Sequence, residues 1–305
     1  MVKGITVMKK IINSALILKI ALLLFLIIHL AGCSLLRSGI ASLKSTADFR
    51  PLEADDRILA EPGAENLAKQ VSGYLPQAII TVQTEQYRDF IKPVRVYVCA
   101  SEDSFVSHTG ASKNVSGVVT TKLFFSRKLS EFPPEQIQSR VIHELSHLHL
   151  QQQLGTYHFD ANIPAWFQEG LAVLVSAGGG AERVSEAEAV KAILAGKHFA
   201  PEAQGSFFFK KTGKSYSLEP HMFYRQASLF VGYMKNLSPL HFGLFMLSIE
   251  DRGDFDRSFH TVYGMGIDEA WQDFVILLKN KQREMHFACY GSLSGLSRGR
   301  ENLQR

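Results

Sequence analysis

The stretch Ile142-His143-Glu144-Leu145-Ser146-His147-Leu148-His149-Leu150 decides how the chain is read. His143 and His147 stand four apart. On an α-helix, four steps return a side chain to within about 40° of its starting azimuth, one turn along. Two neutral imidazoles on one face can therefore grip one cation. Glu144 sits about 100° round from His143, where its carboxylate reaches a water held by a metal rather than the metal itself. Pro133 and Pro134 open this helix, as proline can in a first turn. Ile137, Val141, Ile142, Leu145 and Leu148 recur on one face through to about Leu154. The histidines thus ride on a partly buried mount.

A tetrahedral catalytic zinc takes three protein ligands and leaves a fourth position open. Onward from His147 the candidates are His149, His158, Asp160 and Glu169. His149 is two residues beyond His147, about 200° away, so it points off the site. Ten residues past His143, the place of the third histidine in a metzincin pattern, stands Gln153. His158 lies in a loop-like stretch. Glu169 falls in Ile163-Pro164-Ala165-Trp166-Phe167-Gln168-Glu169-Gly170-Leu171-Ala172, where Pro164 can start a second helix. A carboxylate on a helix packed against the first is geometrically sound; a surface glutamate on an amphipathic helix is the competing reading.

His143-Glu144-x-x-His147, followed 22 residues later by Glu169 inside Trp-x-x-Glu-Gly-x-Ala, resembles the gluzincin metallopeptidases. The nearest likeness is the peptidase MA-like group related to aminopeptidase N and thermolysin. The resemblance covers roughly residues 90–280. It implies that His143, His147 and Glu169 bind Zn2+ and that Glu144 is the general base. Tyr224-Arg225-Gln226-Ala227-Ser228-Leu229-Phe230-Val231 is similar to the helix that carries an oxyanion-stabilising tyrosine in the aminopeptidase N branch, which implies that role for Tyr224. Tyr263-Gly264 and Ala270-Trp271-x-x-Phe274 extend the likeness weakly. Two features depart from it. A Gly-x-Met-Glu-Asn-like strand, which recognises a free N-terminus in the aminopeptidases, is missing, so endopeptidase action is at least as strongly implied. The position four past Glu169, an Asp in thermolysin-like enzymes, is Val173, and the groups that orient the histidines stay unidentified. The implied fold is α+β, a thermolysin-like zincin: a small mixed sheet with the active-site helix, then a helical C-terminal subdomain.

The front end is a removable address. Lys3, Lys9 and Lys10 precede an apolar run from Ile20 to Leu30, too short for a comfortable bilayer span. It ends in Leu30-Ala31-Gly32-Cys33, which resembles the lipobox of bacterial lipoproteins; the resemblance makes Cys33 the lipidated new N-terminus. Ser34 after it is compatible with sorting to an outer membrane, facing the periplasm. The formal charge is +4, and residues 1–32 carry four lysines and no acid, so the chain from Cys33 onward is neutral. The basic balance belongs to the leader and is no argument for nucleic-acid binding. Of three cysteines, Cys99 and Cys289 remain in an oxidising compartment, where a disulfide between them and two free thiols are equally open.

The expected organisation is 1–32 signal peptide, 33–56 lipidated cysteine and tether, 57–160 sheet subdomain with the histidine helix, 161–288 helical subdomain with the third ligand, and 289–305 disordered tail. Within it, residues 64–75 have helical spacing, Ala78 to Val82 and Val94 to Val98 read as strands, and Val118 to Phe125 reads as an edge strand able to pair with an extended peptide. Helices are expected over Ser185 to Ala195, Tyr224 to Met234, Leu240 to Ile249, Phe255 to Tyr263 and Asp268 to Lys279. The loop 201–218, with Lys210, Lys211 and Lys214, either rims the cleft or is simply solvated. His221 and His260 read as structural. The expected activity is zinc-dependent hydrolysis of peptide bonds in peptides or proteins of the cell envelope. The alternative is a lipid-anchored scaffold that binds peptide without cutting it; no feature sets the oligomeric state.

Overall fold

The structure is a computed structural model that describes Lys19 and residues 39–41, 43–206, 209–252 and 254–301, with side chains as far as 284 apart from Arg252. Cys33 and the leader apart from Lys19 lie outside the described residues, as does the side chain of Cys289. The fold is mixed α+β and divides into two compact units. The first comprises the chain up to Lys69 and Arg95–Glu131; the second comprises Gln70–Val94 and the chain from Phe132 onward.

The first unit carries a five-stranded sheet of β1 (Arg50–Leu52), β2 (Asp55–Ala60), β3 (Val96–Val98), β4 (Gly117–Val119) and β5 (Leu123–Phe125), in spatial order β1-β2-β3-β5-β4. The central pairs β2/β3 and β3/β5 are parallel; the outer pairs β1/β2 and β4/β5 are antiparallel. All three residues of β3 are buried, as a central strand covered on both faces requires. The stretch Val118 to Phe125 is therefore a hairpin rather than one strand: residues between Val119 and Leu123 turn the chain, and β4 is the edge. Phe49, Tyr97, Cys99, Phe105 and Phe124 form a buried cluster, to which α2 (Glu102–Thr109) contributes Phe105. Ser101 caps that helix by accepting from the Ser104 N–H, and Gly110 ends it at φ +71°. Cys99 is a free thiol, fully buried, and burial pushes its pKa up to about 12. The bridge weighed between Cys99 and Cys289 is not formed from this side.

Helix α1 (Glu65–Glu85) runs from the first unit into the second. The strand expected at Ala78 to Val82 is its C-terminal half. Leu67, Ala68, Val71, Leu75, Ala78 and Val82 are buried at three- and four-residue intervals, so the helical period runs straight through Pro76.

The second unit holds α3 (Pro134–Leu154), α4 (Thr156–Asn162), α5 (Ala165–Val175), α6 (Glu186–Leu194), α7 (Pro220–Leu237), α8 (Pro239–Arg252), α9 (Phe255–Tyr263) and α10 (Ile267–Glu301). The histidine helix α3 thus groups with the helices and not, as expected for 57–160, with the sheet, because its neighbours are α4, α5 and α8. The core here is aromatic. Trp166 packs against Phe230 and Phe255 at ring separations of 5.2 and 5.8 Å, and Phe167 against Phe245 at 5.5 Å. Helix α10 continues past 289, so most of the segment expected to be a disordered tail has helical backbone. Among the described residues no helix is long and apolar enough to cross a membrane.

Candidate metal centre

Helix α3 begins at Pro134, in the first-turn position proline tolerates, and buries Ile137, Val141, Leu145 and Leu148 along one side. This places His143 and His147 one turn apart with their rings in edge contact, centroids 4.8 Å apart. Helix α5 starts after Pro164. The buried amide of Gln168 ties down the chain before it, donating to the carbonyls of Phe159 (2.9 Å) and Ile163 (2.8 Å). The neighbouring Glu169 then faces α3.

Three atoms converge. His143 Nε2 and His147 Nε2 are 3.1 Å apart, and Glu169 Oε2 lies 3.4 Å from the first and 3.5 Å from the second. A tetrahedral ion with nitrogen and oxygen donors at about 2.0–2.1 Å holds them about 3.3–3.4 Å from one another, so this triangle has the dimensions of one tetrahedral face. His143 Nδ1 is 2.8 Å from the Gly179 carbonyl and donates its proton there. The Nε2 of the neutral ring then presents a lone pair to the other two donors. Two imidazole nitrogens and a carboxylate oxygen at these distances could hold a metal ion, and such a donor set suits zinc. His143, His147 and Glu169 are the one group of metal-ligating type among the described residues.

The Gly179 carbonyl is the orienting partner that the sequence left unidentified. It sits in a run of three glycines after α5, where Ala177, Gly178 and Gly180 have φ of +52°, +109° and +84°. A Cβ on Gly180 would stand 2.9 Å from Cε1 of His143, and one on Gly179 would meet the Ser139 carbonyl oxygen at 2.5 Å. The turn lies against α3 because it has no side chains there. Glu182 holds it, accepting from the Gly180 N–H (3.0 Å) and pairing with Arg140 of α3 (2.9 Å). Arg225 of α7 binds it too, donating to the Val184 carbonyl at 2.9 Å.

Electrostatics sort the two carboxyls. Burial raises the pKa of Glu169, but the imidazoles of His147 and His143 outweigh it and hold the group well below its ordinary value. Glu144 goes the other way: burial raises it, against the pull of His143 and His147. Tyr224, on α7, has its ring 6.3 Å from that of His143. The charge of Glu169, then burial and Glu144, hold its phenol well above the usual range.

His143, Glu144, His147, Glu169 and Tyr224 are thus brought together. The other candidate histidines are not. His149 is fully buried with Nε2 2.9 Å from the Arg88 carbonyl, pointing away as its azimuth required. His158 is exposed on α4, and Asp160 lies 3.4 Å from Lys210 rather than at the centre. His221 faces Glu182 at 3.8 Å, and His260 is exposed. A cavity of about 670 Å³ opens beside Glu169 and Tyr224, with Lys210 and Lys214 in its wall. Of the loop 201–218, Lys210, Thr212 to Lys214, Ser217 and Leu218 line this cavity. No protein-family model matches the chain, and no curated protein matches it.

Proposed function

We propose that this chain is a zinc-dependent peptidase of the gluzincin type, built on a thermolysin-like zincin fold and held at a bacterial membrane surface by a lipid on Cys33. The supporting observation is the 3.1, 3.4 and 3.5 Å triangle of two imidazole nitrogens and a carboxylate oxygen, with a second carboxylate, Glu144, beside it. Zinc held by His143, His147 and Glu169 would supply Lewis-acid polarisation of the scissile carbonyl and a lowered pKa for water.

The chain's own groups do the rest. Glu144 takes the proton of the attacking water and passes it to the leaving amine; its raised affinity for a proton suits a group that must hold one between steps. Tyr224, kept protonated by the surrounding negative charge, donates a hydrogen bond to the oxygen of the tetrahedral adduct. Gly179 keeps the His143 ring in the tautomer that offers Nε2. Glu169, its proton affinity suppressed, stays an anionic ligand.

The test is Glu144→Gln, which keeps shape and removes the base. Bound zinc should remain stoichiometric by metal analysis, while turnover of a peptide library falls by about 10²–10⁴. A variant that cuts as the parent does removes Glu144 from the mechanism. The anchor is tested separately. Labelled fatty acid should enter the full chain in a bacterial host and be lost in Cys33→Ala, with the variant released to the soluble fraction.

A further inference from the structure

The 670 Å³ cavity shares Glu169 and Tyr224 with the metal centre, so whatever fills it lies next to the reacting bond. Its lining includes the buried Phe223 together with Lys210 and Lys214. Lys210 is fixed in place. Its ammonium lies 2.8 Å from Oε1 of the buried Gln168 and 3.4 Å from Oδ1 of Asp160. An ammonium has three N–H donors, so one is left for a ligand. Gln168 adjoins Glu169, which ties the position of this charge to that of the metal ligand. Lys214 stands on the turn before α7, exposed, with no carboxylate within 4.0 Å among the described residues. The acids lining the same space are Glu169, which serves the cation, and Glu219, which precedes α7 and makes no side-chain capping bond.

We propose that this cavity is the specificity pocket of the proposed peptidase and receives a substrate carboxylate, bound between Lys210 and Lys214. The proposal rests on the peptidase reading for the bond cut, but not for the ligand bound. A carboxylate reaches the pocket either on an Asp or Glu side chain or at a peptide's C-terminus. The chemistry of recognition is shared, and a volume of this size admits either.

The test uses the zinc-loaded full chain and paired fluorogenic peptides that differ only as Glu against Gln at one position, each made with a free and an amidated C-terminus. The parent should favour the carboxylate-bearing member of a pair by roughly five- to tenfold in kcat/KM, the worth of a half-exposed charge contact. Lys214→Gln and Lys210→Gln should each move that ratio towards one, and Glu219→Gln should raise it. A ratio that follows Glu against Gln assigns the side chain; one that follows amidation assigns the terminus. The same pairs are titrated by fluorescence anisotropy onto the Glu144→Gln chain, where the preference should reappear in Kd. If no peptide is cut yet the Kd ratio holds and falls in the lysine variants, the hydrolase reading fails and the pocket stands. Equal Kd for all members of the pairs, or a preference untouched in the Lys210→Gln/Lys214→Gln double variant, overturns the proposal.

Discussion

Glu169 and Glu144 are separated in role by their surroundings rather than by their chemistry. Two imidazoles next to Glu169 hold it well below its ordinary value, while desolvation makes Glu144 bind a proton more readily than a free glutamate. The balance depends on where the His143 ring sits, and that is set by Gly179 and Gly180. Gly180→Ala is expected to weaken zinc binding by roughly 10–100-fold in chelator competition, the usual cost of disturbing a partner that orients a ligand. The Cβ would press on Cε1 and Nδ1 of His143 at 2.9 and 3.0 Å, and φ of +84° is strained for any L side chain. Far-ultraviolet circular dichroism should stay unchanged, separating a local effect from unfolding. The histidines and Glu169 are legible in the sequence as residue types at fixed spacing. Gly179 is not, because a backbone carbonyl leaves no signature there, and the run of glycines at 178–180 tells of a tight turn but not of what it lies against.

Helix α5 carries Glu169 and helix α7 carries Tyr224, so the separation of the two helices sets the distance between the proposed ligand and the proposed oxyanion donor. Gly170 sets it: a Cβ there would lie 2.7 Å from both the carbonyl carbon and oxygen of Ala227, and backbone cannot yield as a flexible side chain does. Gly170→Ala should force the helices apart, lowering stability by about 1–3 kcal/mol in denaturant titration and reducing zinc affinity as well, since Glu169 adjoins the wedge. Loss of neither would mean that α5 carries its carboxylate independently of α7. At this scale the proline-started helices are readable: Pro134 and Pro164 stand at or just before the starts of α3 and α5, and α9 runs from Phe255 to Tyr263 as its apolar spacing asks. The second half of α1 misleads because Pro76 looks like a stop and the Ile79-Ile80 pair favours a strand, whereas the burial at Leu75, Ala78 and Val82 keeps the helix going. Helices α2 and α4, of eight and seven residues, are too short and polar to leave a period.

Behind the metal helix, the helical unit buries ionisable groups that serve no chemistry, and these shape the pH response of the whole molecule. Glu250 on α8 has no exposed side-chain surface; both its oxygens lack a hydrogen bond among the described residues, with His149 Nδ1 3.8 Å away and Arg88 Nε 3.3 Å away. Burial pushes its pKa up to about 8; Arg88 opposes this and Asp251 adds to it. His149, likewise fully buried, is lowered to about 4, again by burial. The two act in opposite directions. An unfolded chain releases the Glu250 proton near 4.5 and the folded one near 8, so the fold holds the extra proton between those values and loses stability as pH rises through that window, levelling off above it. For His149 the unfolded chain holds the extra proton between about 4 and 6.5, so its contribution grows with pH and is complete by about 6.5. Of these two groups, only Glu250 still changes its contribution from pH 6.5 to 8. Thermal unfolding of the parent should therefore show Tm falling across pH 6.5 to 8.5, and Glu250→Gln, which keeps the neutral shape without an ionisable proton, should show little of that fall and overtake the parent at the alkaline end. Parallel slopes in the two proteins would mean that Glu250 is ionised in the fold throughout and that Arg88 alone neutralises it.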